Sequence, residues 1–121
     1  MVLVDTSVWV VHLREGTMGL DALLMDGRVV CHPFVVGELA CGNLKNRLGI
    51  LSLLQALPMA IKADQGEVMQ FIETHRLMGK GLGYIDMHLL ASAFLTKVPL
   101  WTLDRRFSES SSKLGIRYRS S

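Results

Sequence analysis

The chain has 121 residues, half of them apolar, a mean hydropathy of +0.32 and a formal net charge of +2. That length makes one domain, 1–121, with a single core. The small net charge does not mark a nucleic-acid binder, Cys31 and Cys41 match no metal or disulfide pattern, and no apolar run reaches the ~20 residues of a membrane span.

Met1–Val4 is an apolar, β-branched run, as expected of a strand covered on both faces. No basic segment precedes it, so no secretory signal is read and a cytoplasmic location is expected. Thr6 to Arg14 reads as a helix ended by Gly16, and Leu20–Met25 as a short one ended by Gly27. Arg28–Cys31 is a second strand. Pro33 suits a first helical position, and that helix runs to about Gly42. Leu44–Ala56 is a further helix, weakened by Gly49. Leu57–Ile61 is a third strand, put at an edge by Pro58. Asp64 caps a helix to Met78, with Val68, Phe71, Ile72 and His75 on one face. After the turn 79–83, Tyr84–Thr96 has the strongest helical pattern. Leu100–Leu103 is a strand, Arg105–Lys113 a short helix and Ile116–Tyr118 a last strand.

Strands alternating with helices predict an α/β domain with a mostly parallel sheet, whose ligands bind beyond the carboxyl ends of the strands. Asp5 and Asp104 stand at such ends, and Glu38 and Asp86 lie in helices expected to begin on that side. Singly, each acid has an ordinary explanation: Asp5 and Asp104 as helix caps, Asp86 as a first-turn acid. Glu38 is mid-helix, sharing a stripe with Phe34, Val35 and Cys41. Together, the four acids predict one crevice rich in carboxylates and poor in cations.

Such oxygens suit Mg²⁺ or Mn²⁺, which activates water and steadies the leaving oxygen of a phosphodiester. Thr6, Ser7 and Thr102 offer hydroxyls beside the acids, for supporting bonds or for local capping. Arg105, Arg106, Lys113, Arg117 and Arg119 gather toward the C-terminal end, as a phosphate track or as a solvated surface. The four histidines lack zinc spacing, and no Walker A loop, GxGxxG or GxSxG is present.

The segments Leu3-Val4-Asp5-Thr6-Ser7-Val8-Trp9, Glu38-Leu39, Gly83-Tyr84-Ile85-Asp86-Met87-His88-Leu89-Leu90-Ala91-Ser92-Ala93 and Leu100-Trp101-Thr102-Leu103-Asp104-Arg105-Arg106-Phe107 resemble, in order, the motifs of PIN-domain ribonucleases. The similarity is closest to the VapC toxins of prokaryotic toxin–antitoxin pairs. It implies a five-stranded parallel sheet with helices on both faces, and Mg²⁺- or Mn²⁺-dependent endonucleolytic cleavage of RNA. It implies Asp5 and Asp86 as principal metal ligands, with Glu38 and Asp104 as the second and fourth acids. It further implies a homodimer and inhibition by a cognate, VapB-like antitoxin. Where some relatives carry another acid after the fourth, this chain has Arg105 and Arg106, which suit RNA phosphate instead. The competing readings are weaker. A receiver-like domain lacks its acid pair and its phosphoacceptor, and an Asp-x-Asp phosphatase fails because Ser7 takes the second acid's place. A PIN fold used only to bind RNA or protein usually loses an acid, and this chain keeps all four.

Overall fold

The computed structural model describes residues 1–16 and 19–119. The chain runs β1 (Val2–Val4), α1 (Thr6–Glu15), α2 (Leu20–Met25), β2 (Val29–Val30), α3 (Pro33–Ala40), α4 (Arg47–Ala56), α5 (Gln65–His75), α6 (Tyr84–Thr96), β3 (Leu100–Trp101) and α7 (Arg105–Lys113). The class is α/β, as expected. β1 lies between β2 and β3, parallel to both, with Val2 opposite Val29, Leu3 opposite Leu100 and Val4 opposite Trp101. Successive strand side chains face opposite sides, and Val2, Leu3 and Val4 are all buried, so both faces of β1 are covered.

The expected count of five strands is corrected to three, among the described residues. Leu57–Ile61 contributes a single parallel bridge, Met59 to Cys31, and Ile116–Tyr118 another, Arg117 to Leu100. Each bridge prolongs the sheet at one edge. The first cannot lengthen, since Pro58 has no N–H to give and offers only its carbonyl to Cys31, at 2.8 Å. Two helices are shorter than their apolar patterns predict. α4 starts at Arg47 because Asn46 is left-handed, φ 53°, and α5 stops at His75 because Arg76 is left-handed, also φ 53°. α5 begins on a reciprocal cap in which Asp64 accepts from the Glu67 N–H at 2.8 Å and Glu67 accepts from the Asp64 N–H at 3.0 Å.

One buried histidine ties the α3 and α6 helices together. His32 caps α3 through Nδ1, which accepts from the Phe34 N–H at 2.9 Å. The ring proton therefore sits on Nε2, which stands 3.0 Å from Ser92 Oγ in α6. Burial, then the positive charges of His88 and Lys62, hold His32 down to about 4. Its folded value lies below its unfolded one, so its contribution is fully present above about 6.5 and is lost as pH falls toward 4. His32→Ala removes the cap and strands Ser92 in the core, and should cost about 2–4 kcal/mol. Urea unfolding across this pH window should show that cost, together with a shallower pH dependence than the parent's.

Candidate active site

Asp5 ends β1, and the chain turns there into α1. Its carboxylate is only 7% exposed. Burying a charge without partners is costly, and two hydroxyls meet that cost. The Ser7 hydroxyl donates to Asp5 Oδ2 at 2.7 Å and the Thr102 hydroxyl to the same oxygen at 2.9 Å, with a longer bond from the Ser7 N–H at 3.4 Å. Both hydroxyl oxygens also accept: Ser7 Oγ from the Leu103 N–H at 3.0 Å, and Thr102 Oγ1 from the Asp104 N–H at 3.1 Å. Asp5, Ser7 and Thr102 thus fasten the start of α1 to the segment after β3.

The other three acids are set by their helices. Asp104 is exposed and caps α7, its Oδ1 accepting from the Phe107 N–H at 2.9 Å. Asp86 is half-buried in the first turn of α6, and its Oδ2 accepts from the Gly83 N–H at 3.0 Å. Glu38 is solvent-exposed, which corrects the expectation drawn from its apolar neighbours, because its stripe turns outward at this point of α3. Its Oε1 accepts from the Thr6 hydroxyl at 2.7 Å, and this bond draws it toward Asp5.

Asp86 registers the whole group. Its pKa is raised, first by burial and then by the charges of Asp5, Asp104 and Glu38, against a lowering pull from the Gly83 N–H. The structure therefore brings Asp5, Asp104 and Glu38 near enough to Asp86 for their charges to act on it. Among the described residues, no Lys or Arg lies within ion-pairing distance of any of them, since Arg105 with Glu109 is the one ion pair there, at 3.1 Å.

As to a metal, no three carboxylates among the described residues stand close enough to clasp one ion unaided. Mg²⁺ does not need that, because it is commonly bound by one or two carboxylates, several waters and substrate phosphate oxygens. Each acid commits one named oxygen to the scaffold. Asp5 Oδ1, Glu38 Oε2, Asp86 Oδ1 and Asp104 Oδ2 have no hydrogen-bond partner among the described residues. The donor set is hard, anionic and unpaired, and it fits a divalent cation of that kind.

The two arginines read as phosphate ligands differ. Arg105 is spread along α7 toward Glu109 and is 91% exposed. Arg106 lies against Gly81, in the loop leading to α6. A Cβ at Gly81 would come within 2.4 Å of Arg106 Nη1, and the backbone there has φ +79°. The positive φ favours glycine there, and any side chain would have to displace the end of Arg106.

Residues 2–112 match the family model of the PIN domain. This chain belongs to the PIN-domain family. It is of VapC type: it is 41% identical over 117 residues to Ribonuclease VapC32 of Mycobacterium tuberculosis, in two strains, covering 96% of this chain and 94% of the relative. Its fold is also similar to that of FitAcB from Neisseria gonorrhoeae, with a TM-score of 0.65, 20% identity and coverage of 93% and 94% of the two chains. FitAB bound to an IR36 DNA fragment gives a TM-score of 0.65, 19% identity and coverage of 93% and 91%. At such identities the likeness is one of fold alone.

Two residues of this PIN domain escaped the sequence reading. His32 and Gly81 touch none of the four acids, but one fixes α3 against α6 and the other seats Arg106. His32 directly before Pro33, at the end of a strand, is the pattern of a capped helix start and was legible as such. Nothing in the sequence links Gly81 to Arg106.

The raised pKa of Asp86 means that the folded, metal-free protein holds a proton there more tightly than the unfolded chain does. Charge at Asp86 therefore destabilises the fold above that raised value, and the penalty fades as pH falls through it. Asp86→Asn keeps an acceptor for the Gly83 N–H and should melt higher than the parent in EDTA at neutral pH. That gain should shrink as pH is lowered. Thermal melts of both proteins at several pH values measure it.

Proposed function

We propose that this chain, as one nuclease domain, is an endoribonuclease toxin acting in the cytoplasm. In this reading it cuts RNA phosphodiester bonds with Mg²⁺ or Mn²⁺ and is silenced by a cognate VapB-like antitoxin. The observation that carries the reading is the convergence of Asp5, Glu38, Asp104 and Asp86 with, among the described residues, no cation paired to any of them. The 41% identity to a ribonuclease supports RNA as the substrate.

A divalent cation bound there supplies a Lewis acid that acidifies water and offsets charge on the phosphate. The chain's own residues do the rest. Asp5 and Asp86 offer their free oxygens from the buried side, and Glu38 and Asp104 offer theirs from the exposed rim. Ser7 and Thr102 fix the Asp5 carboxylate so that it need not reorganise on binding. Thr6 holds Glu38 in the same way. Arg105, held only by an exposed i,i+4 pair, can swing to a phosphate at little cost, and Arg106 lies beside Gly81 in the loop before α6.

The partners follow from surface chemistry. Thr6 and Glu38 form one end of a groove that continues along Val10, Leu13 and Leu39 between α1, α3 and α4. This suits an amphipathic antitoxin segment whose cationic end would reach the acids. The partly exposed Phe94, Leu95 and Phe71 on α5 and α6 make an apolar patch suited to a second copy of the chain.

Purified protein should cut labelled RNA with Mg²⁺ or Mn²⁺, stop in EDTA and not recover with Ca²⁺. Asp5→Asn and Asp86→Asn should each lose about a hundredfold or more in kcat/KM. Full activity of either variant would overturn the reading, as would cutting in EDTA. Ser7→Ala and Thr102→Val, which remove the hydroxyls supporting Asp5 and the segment Leu103–Asp104, should lose about 10–100-fold in activity or in metal affinity. Titration of cleavage against Mn²⁺ separates the two.

A further inference from the structure

On the other side of Thr102 from the acids, β3 and the segment after α7 form the wall of a second cavity, of about 740 Å³. Three arginines line it. Arg28 precedes β2, and Arg117 and Arg119 flank Tyr118 beside β3. All three are exposed, and among the described residues none is ion-paired. Among the described residues, no carboxylate lines the cavity. Trp101 and Tyr118 line it as well; they pack against the core on one side, their rings lie 5.1 Å apart at 40°, and both stay partly exposed. Thr102 closes one end, and its hydroxyl is the donor to Asp5.

Three like charges around one cavity repel unless an anion joins them. Partly exposed aromatics and cations lining one cavity, with no acid there among the described residues, provide the two contacts a single-stranded nucleic acid uses: charge for the backbone and a stacking surface for the bases. The cavity begins at the residue that orients Asp5, so a strand lying in it would already be aimed at the acid cluster. An acidic peptide would use the cations but not the exposed part of the aromatic pair, whose other side packs on the core.

We propose that this groove is the track for single-stranded RNA on one side of the cut. Phosphates rest on Arg28, Arg117 and Arg119, and a base stacks on the Trp101–Tyr118 pair. The proposal rests on the nuclease reading for the identity of the strand and extends the substrate contact away from the acids. It also gives two groups of arginines separate parts, with Arg105 and Arg106 following Asp104 and these three along the strand.

The test is binding of a labelled, mixed-sequence single-stranded RNA by anisotropy over a range of salt concentrations. Asp86→Asn in EDTA serves as the non-cutting parent, and cleavage by the otherwise unaltered protein in Mg²⁺ is followed in parallel. Arg28→Ala, Arg117→Ala and Arg119→Ala change exposed side chains, and melting temperature checks that each variant is folded. Each should weaken binding several-fold and lower the slope of log affinity against log salt by about 0.7. Arg117→Lys should recover most of that slope. Tyr118→Ala should weaken binding about tenfold, and Tyr118→Phe much less. In cleavage, the arginine variants should raise KM by a larger factor than they lower kcat.

Folded arginine variants that match the parent in affinity and salt slope would overturn the groove, whatever else it holds, and RNA cutting by wild type would then leave the nuclease reading standing. RNA binding through the arginines without any cutting would sustain the groove and overturn the nuclease. A protein that neither binds nor cuts RNA would overturn both.

Discussion

The constraint on which this architecture turns is a carboxylate at the buried end of its central strand. Asp5 sits where β1 runs out of partners, 7% exposed, with its charge supported by hydroxyls instead of by a cation. A hydroxyl can donate to a carboxylate and accept from a backbone N–H at the same time. Ser7 and Thr102 both do so, and the bonds they accept come from Leu103 and Asp104. The support of Asp5 and the placement of Asp104 are therefore one network. An arginine could have stabilised the charge more strongly, but it would have occupied the carboxylate and closed the site to any other cation.

The remaining acids reach Asp5 through rigid elements. Thr6 follows Asp5 directly and holds Glu38, so α3 is aligned on the first turn of α1. His32 then holds the start of α3 against Ser92, about two turns into α6, the helix that carries Asp86 in its first turn. The acids thus stand on three helices and a strand end whose mutual positions are fixed by hydrogen bonds rather than by apolar contact alone. This matters at a site of like charges, because repulsion that raises the pKa of Asp86 would otherwise be relieved by letting the helices move apart.

The sequence made the α/β class, the order of elements and the four acids legible, because apolar runs at strand period and stripes at helix period survive without tertiary knowledge. Local backbone choices were not legible. Asn46 delays the start of α4 and Arg76 ends α5, each in a left-handed conformation that its side chain does not demand, and two expected strands reduce to single bridges at Met59 and Arg117. The exposure of Glu38 was misread because its stripe includes Phe34 and Val35, which pack inward from the first turn while Glu38 lies on the outward edge of the same helix. The hydroxyl network was visible only as a list of candidates. That Ser7 and Thr102 converge on one oxygen of Asp5 depends on the parallel register of β1 and β3, which pairs Val4 with Trp101.

Each acid has both a structural and a chemical part to play, and the two are divided between its oxygens. One oxygen caps a helix or receives a hydroxyl, which accounts for the ordinary reading of each residue taken alone, and the other is left free. The division has an energetic consequence. A free oxygen in a crowd of carboxylates gains more from a cation than an isolated one does, because the cation relieves repulsion as well as adding attraction. Any cation meets this condition, whether a metal or the side chain of a partner. Under the proposed function, the property that makes the site receptive to a metal also makes it vulnerable to inhibition by an arginine or lysine supplied in trans. No conformational change is then needed to switch it off, only a charge delivered along the groove that begins at Thr6 and Glu38.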